Sequence, residues 1–267
     1  MLINQLLIHT KKDTVETPKA TIIITHGIAE HSGRYDVITD RLNEAGYSVL
    51  RYDLRGHGLS QGKRGKLKHF HEFIDDLHEI VISEKKQSNQ KIFLIGHSLG
   101  GLIVDLYAVK YGDVDGIISS AAPSYFIKDV LPLRFIGYKL LGWIPKKSNF
   151  ANDQLSRIKE VESLYISDPL NLKYFSISLV GAMFVSGVRY LNKHLTNFKS
   201  PVLILHGGND KIVPFSMSQR LYDLIPSEDK QLIIYDHNYH EIFNDLDQEK
   251  VFKDVIKWLD ERIKSAA

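Results

Sequence analysis

Residues 91–112 read KIFLIGHSLGGLIVDLYAVKYG, and the reading of this stretch decides the fold. The run KIFLI has the composition of a buried strand, and SLGGLIVDLYAVKYG has that of a helix. Between them Gly96-His97-Ser98-Leu99-Gly100 matches the pattern G-x-S-x-G. A strand turning sharply into a helix at such a serine exposes the hydroxyl at a sheet edge, and the small residues two positions either side relieve crowding. The Leu99 N–H then lies at the helix amino terminus, where it can stabilise an oxyanion. Ser98 could instead be an ordinary helix N-cap. The strand directly before it and the helix directly after favour a nucleophile.

Outward from this turn, ATIIIT (20–25), YSVLRYD (47–53), DGIISS (115–120), PVLILH (201–206) and QLIIYD (231–236) are further apolar runs of strand length. Runs apolar on both faces suit a parallel sheet covered on each side. Helical patterns fall at 35–45, about 70–86, 98–111, 216–225 and 247–264. The last places Val251, Val255, Trp258 and Ile263 close to one face. Strands alternating with such helices predict an α/β fold with a mostly parallel central sheet flanked by helices. The amino-terminal MLINQLLIHTKKD reads as an opening strand; it has no basic region before its apolar stretch, as a signal peptide would.

The alternation breaks once, from about Ala122 to Ser200. An insertion of this size reads as a separate layer, so residues 1–122 and 200–267 are expected to form the core and 123–199 a cap. Within it YFSISLVGAMFVSGV (174–188) is uncharged, but at 15 residues with three serines and two glycines it falls short of the ~20 apolar residues that span a bilayer. A buried or interfacial helix is expected there.

Composition narrows the function. With 267 residues, 43% hydrophobic and 25% charged, the chain is an ordinary globular protein able to bury a large core. A net charge of +2 gives no argument for a nucleic-acid partner, which needs a clustered basic face. There are no cysteines, which removes disulfides, thiolate nucleophiles and cysteine–metal sites and fits a reducing cytoplasm. The pairs His26/His31 and His69/His71 lack a carboxylate cluster at ligand spacing. RGHGLSQGKRG (55–65) lacks the G-x-x-x-x-G-K-[ST] pattern of a phosphate loop and reads as a tight turn. Neither metal nor cofactor is expected.

A serine nucleophile needs a base, and the base an orienting carboxylate. Asp210 stands in GGNDKIVP, just past the strand PVLILH, where ligands gather beyond the carboxyl ends of parallel strands. Asn209 and Asp210 also suit a plain Asx-turn. The next strand delivers two histidines, His237 at its tip and His240 three residues on. A loop histidine swings between Ser98 and Asp210 more readily than one tied to a strand end, which favours His240 without excluding His237.

Taken together, THGIAEHSGRY (25–35), YDLRGHGLSQG (52–62), GHSLGG (96–101), SDPL (167–170), LHGGNDKIVP (205–214) and YHEIFND (239–245) resemble the monoglyceride lipase and lysophospholipase branch of the α/β-hydrolases, in family order over roughly residues 20–260. The resemblance implies an α/β-hydrolase fold with a helical cap inserted after the sixth strand. It selects His240, which follows an aromatic residue as the family's catalytic histidine does. It implies a catalytic set of Ser98, Asp210 and His240, with the backbone N–H groups of Ile28 and Leu99 as the oxyanion hole. Bottom-up, Gly27 would let a backbone amide approach the reacting centre closely.

The cap segment YFIKDVLPLRFIGYKLLGWIPKK (125–147) mixes large apolar residues with Lys128, Arg134, Lys139, Lys146 and Lys147 against one acid, Asp129. Such a mixture suits either a membrane interface or a cap packing onto the core with its lysines solvated. The resemblance points to a single-chain acyl ester as substrate, monoacylglycerol first, with lysophospholipid or a short-chain carboxylic ester behind it. The expectation is a soluble, cytoplasmic serine esterase, with transient membrane-surface contact through the cap. Rival readings are an amide or peptide hydrolase, a non-catalytic ligand-binding α/β-hydrolase, and a peripheral membrane protein anchored by its cap.

Overall fold

The computed structural model describes residues 1–127 and 130–264, so Lys128 and Asp129 lie outside the described residues. Residues 2–7 form a small antiparallel hairpin, β1 (Leu2–Ile3) with β2 (Leu6–Leu7). The chain then runs through β3 (Thr10–Asp13), β4 (Thr21–Thr25), α1 (Asp36–Glu44), β5 (Ser48–Tyr52), α2 (His71–Gln87), β6 (Ile92–His97), α3 (Leu99–Lys110) and β7 (Gly116–Ser120). After the insertion come β10 (Val202–Gly207), α8 (Ser216–Leu224), β11 (Lys230–Tyr235) and α9 (Gln248–Lys264). The main sheet has seven strands in the order β11-β10-β7-β6-β4-β5-β3, parallel except where β3 pairs with β5.

One count differs from expectation. The insertion leaves the main sheet after its fifth strand in chain order, not its sixth. The apolar residues at the amino terminus pair with each other as β1 and β2 instead of extending the sheet.

Strand alternation builds two cores. Ile23, Ile92, Leu94, Ile117, Val202 and Ile204 face a cluster shared with α2, α3 and the insertion. Ile22, Ile24, Phe93, Ile95, Ile118, Leu203 and Leu205 face the other side, against α1 and α9. Side chains two apart share a face of a strand, so these runs had to be apolar at every position. α3 follows the same logic as a helix: buried from Leu99 to Val109, it is apolar all round because sheet and insertion cover it on both sides.

The insertion contains α4 (Leu133–Ile136), a two-stranded sheet of β8 (Pro145–Lys147) and β9 (Tyr174–Ser176), α5 (Lys159–Ser167), α6 (Ile177–Gly181), a π-helical stretch at Ala182–Gly187, and α7 (Val188–Lys193). Leu179, Met183, Phe184, Val188 and Leu191 join the cluster of Phe73, Leu102 and Leu106. The uncharged stretch 174–188 therefore packs largely inward, and no helix among the described residues is long and apolar enough to cross a membrane. Phe135, Leu140 and Trp143 face outward instead, 84%, 77% and 74% exposed, beside exposed Arg134, Lys139, Lys146 and Lys147.

Candidate active site

Ser98 joins β6 to α3 with φ 54 and ψ −116, a left-handed conformation costly for any residue with a side chain. Its N–H donates to Ser120 O at 2.8 Å, which fixes the turn to the neighbouring strand. The glycines around it are sterically required. A Cβ on Gly96 would lie 2.2 Å from Gly100 O, and one on Gly100 would lie 2.0 Å from Thr25 O. Ser98 occupies the N-cap position of α3, yet its side chain makes no capping hydrogen bond. The hydroxyl is thus not used by the helix.

β10 and β11 bring the other two residues to the same end of the sheet. His240 Nδ1–H donates to Asp210 Oδ2 at 2.7 Å. Asp210 Oδ1 accepts the N–H groups of Ile212 and Val213 at 2.8 and 2.9 Å, so the Asx-turn is present alongside the histidine contact, one oxygen serving each. Ser98 and His240 line one cavity with Gly27, Ile28, Glu30, His97, Phe150, Leu155, Tyr165, Ile212 and Glu241. No hydrogen bond joins Ser98 to His240; such contacts commonly tighten only around a bound substrate. His237 is exposed, away from this set.

The electrostatics suit a histidine that takes up a proton. Burial opposes charge on His240, but the Asp210 carboxylate, with Glu241 and Glu30 adding to it, raises its pKa above the usual 6.5. Burial likewise opposes ionisation of Asp210, and the charge of His240 together with the hydrogen bonds from His206 and His240 outweighs it, holding the carboxylate well below the normal range. His97, its ring centroid 4.8 Å from that of His240, is pushed down to about 3 by burial and then by the charge of His240. It stays neutral while His240 titrates.

The loop after β4 faces Ser98. The position a Gly27 Cβ would take is 3.3 Å from Ser98 Cβ, so this backbone does approach closely. His26 braces the loop: Nδ1–H donates to Gly27 O at 2.8 Å and Nε2 accepts Leu54 N–H at 2.9 Å. Burial lowers the His26 pKa, consistent with a neutral structural ring. Gly27 N–H is taken by Glu30 Oε1. No acceptor among the described residues takes the Ile28 or Leu99 N–H.

Several residues here lie inside the blocks THGIAEHSGRY, SDPL and YHEIFND, yet the sequence assigned them no role. Arg34 donates to Glu30 Oε2 at 3.0 Å and to both oxygens of Glu241 at 2.8 and 2.6 Å, while Tyr35 O–H donates to Glu30 Oε1 at 2.7 Å. This buried cluster connects the loop after β4 to the residue following His240. His31 Nε2–H donates to Asp168 Oδ2 at 2.8 Å, and Leu172 N–H donates to Ala29 O at 3.0 Å, so SDPL and the residues just after it latch the insertion to the same loop. Just before RGHGLSQGKRG, Asp53 accepts Ser32 N–H and, from within that stretch, Leu59 N–H, both at 2.8 Å, making a structural turn. Among the described residues no group of three or more His, Asp or Glu is placed to hold a metal.

The chain resembles known proteins over most of its length. The family model "Serine aminopeptidase, S33" matches residues 16–247. A monoacylglycerol lipase of Mycolicibacterium smegmatis is 32% identical over 91% of this chain and 88% of that protein. A monoglyceride lipase of Homo sapiens is 31% identical over 94% of this chain and 85% of that protein. The crystal structure of Paleococcus ferrophilus monoacylglycerol lipase superposes with a TM-score of 0.85 at 31% identity, covering 96% of this chain and 99% of that one. On the match of sequence, fold and strand-to-helix turn together, this chain belongs to the serine aminopeptidase S33 family of α/β-hydrolases, in its monoacylglycerol lipase-like branch.

Proposed function

We propose that this protein is a serine esterase that cleaves monoacylglycerol to fatty acid and glycerol through an acyl-enzyme. The observation that carries the reading is a left-handed Ser98 opening on the same cavity as a His240 already held by Asp210 at 2.7 Å. Ser98 Oγ attacks the ester carbonyl as its proton passes to His240 Nε2. Asp210 holds Nδ1–H and stabilises the imidazolium. The N–H groups of Ile28 and Leu99 receive the oxyanion, each worth about 2.7–4 kcal/mol by analogy with other such donors. His240 then protonates the departing glycerol oxygen, and water activated by the same ring releases the acid. The reaction needs neither metal nor cofactor.

Residues 1–122 and 200–267 carry the chemistry, and 123–199 form a cap that selects the substrate. The cavity at Ser98 has a volume of about 20 Å³, room for about one water. Phe150, Leu155 and Tyr165 line it from the cap side, and an acyl chain beside Ser98 would need these side chains to move. Exposed Phe135, Leu140 and Trp143, with basic neighbours, support transient contact of this cap with a membrane surface.

The test is fatty-acid release from a monoacylglycerol and a lysophospholipid side by side, with wild type and Ser98→Ala. Release from monoacylglycerol that falls by several orders of magnitude in the variant is expected. Release from neither ester, or activity surviving in the variant, sinks the reading.

A further inference from the structure

His206, the fifth residue of β10, lies wholly buried behind Asp210. Its Nε2 is 2.9 Å from Val213 O and 3.1 Å from Asp210 Oδ2, and its Nδ1 is 2.7 Å from Ser218 Oγ. A carbonyl can only accept, so Nε2 must carry a hydrogen, and that one N–H is shared between Val213 O and the carboxylate. In the neutral ring Nδ1 then accepts the Ser218 hydroxyl. The ring is pinned at both nitrogens, with Ser218 at the start of α8 as its anchor.

The consequence falls on Asp210. Its Oδ2 receives two donors, His206 Nε2–H and His240 Nδ1–H, while Oδ1 receives Ile212 N–H and Val213 N–H. Four donors around one carboxylate fix its rotation and spread its charge over several bonds. Without the His206 donor the carboxylate could still reach His240, but it would be free to rock, and more of its charge would fall on the single bond to His240.

We infer that His206 is a positioning residue for the reaction, holding Asp210 Oδ2 toward His240 and drawing off part of its charge so that His240 is not over-stabilised as the imidazolium. The inference rests on the proposed roles of Asp210 and His240. The charged and titratable groups that face His240 are Asp210, Glu241, Glu30 and His97, with Arg34 paired to both glutamates; of these only Asp210 is hydrogen-bonded to His206, so the effect of replacing His206 reaches His240 through Asp210.

The test compares His206→Phe, which keeps a ring and removes the donor, with His206→Gln, whose amide can still donate. In the phenylalanine variant kcat/KM on a soluble acyl ester should fall roughly ten- to a hundred-fold, as it does when other orienting partners are lost. The acid limb of its pH profile should move upward by about half a pH unit or more, the direction expected when His240 holds its proton more tightly. The glutamine variant should recover the wild-type limb and most of the rate. A folded phenylalanine variant with wild-type rate and limb overturns the inference. If that variant does not fold, nitrogen–proton NMR of wild-type protein still decides: His206 should carry its hydrogen on Nε2, and a hydrogen on Nδ1 alone overturns it. Parallel Ser98→Ala separates the two levels: activity surviving there removes the proposed function, whereas Ser98-dependent activity indifferent to His206 removes only this inference.

Discussion

Glu241 N–H donates to Leu155 O at 2.8 Å, so the residue directly after His240 is tied to the backbone of the cap. The same junction holds Asp245, fully buried, whose Oδ1 accepts from Arg157 Nε at 3.0 Å and from Arg157 N–H at 3.1 Å, while Oδ2 accepts Tyr239 N–H at 2.8 Å. The cap therefore helps set where His240 stands as well as covering Ser98.

Asp245→Ala should reveal that coupling. It leaves the Tyr239 N–H and the Arg157 Nε–H without their acceptor, although the guanidinium keeps Asn238 Oδ1 and Asp247 Oδ2, and a buried donor left unsatisfied costs about 1–3 kcal/mol. The expected outcome is a lower melting temperature together with fluorophosphonate labelling of Ser98 slowed roughly tenfold or more, since small displacements of a base reduce rate steeply. Labelling at the wild-type rate in a folded variant would show that the histidine loop holds its position without the cap.

In the proposed mechanism the pH dependence of catalysis follows from His240. The ring must be neutral to accept the Ser98 proton, and Asp210 raises its pKa above 6.5 against the opposing effect of burial. Activity is therefore lost as pH falls through that raised value, and the acid limb of kcat/KM should lie above pH 6.5. A rate profile on a soluble ester measures it directly. A limb below about pH 6, beneath the unperturbed histidine value, would contradict the assigned base.

Much of this arrangement was legible in the sequence, and the reason is local. Strand runs such as 201–206 and helix patterns such as 247–264 came within a residue or so of β10 and α9, because a two-sided sheet leaves its mark on every position of a strand. Ser98, Asp210 and His240 stand at the ends of such elements, where order along the chain implies nearness in space. Arg34 and Glu241 are 207 positions apart, and no spacing rule announces a pair that only the closed fold brings together. His206 was hidden differently: as the last residue of the run PVLILH it reads as a polar strand end. The short β8–β9 pair and the π-helical stretch carry no periodicity long enough to read. An Asp inside the apolar α3 pattern was visible, and its burial was not.

That Asp105 makes a prediction about stability. It is fully buried, and among the described residues neither carboxylate oxygen has a partner in hydrogen-bonding geometry, although the Ser119 hydroxyl on β7 lies close enough to oppose the shift in its pKa. Burial pushes its pKa up to about 8. The folded protein holds this proton more tightly than the unfolded chain, so stability from this group is greatest in acid and is lost as pH rises from near 4 through about 8. Asp105→Asn, neutral at every pH, should raise the melting temperature at pH 9 relative to wild type by at least about 5 °C, and by much less at pH 5. An equal difference at both pH values would show that the carboxyl does not titrate in the folded state.

The cap's outward face can be read with the protein's own fluorescence. The chain has two tryptophans, Trp258 buried at 1% exposure and Trp143 exposed at 74%. Trp143 stands near Phe135 and Leu140 in sequence, with Lys139, Lys146 and Lys147 around them, an apolar and basic mixture suited to the boundary between headgroups and acyl chains. Adding phospholipid vesicles should therefore shift the emission to shorter wavelength, and the shift should vanish in Trp143→Ala while the Trp258 signal remains. Because the cap residues that line the Ser98 cavity belong to the same insertion, contact at this face is expected to speed fluorophosphonate labelling as well. Unchanged emission at saturating vesicle concentration would mean that these side chains stay in water, and that the apolar face serves something other than a bilayer.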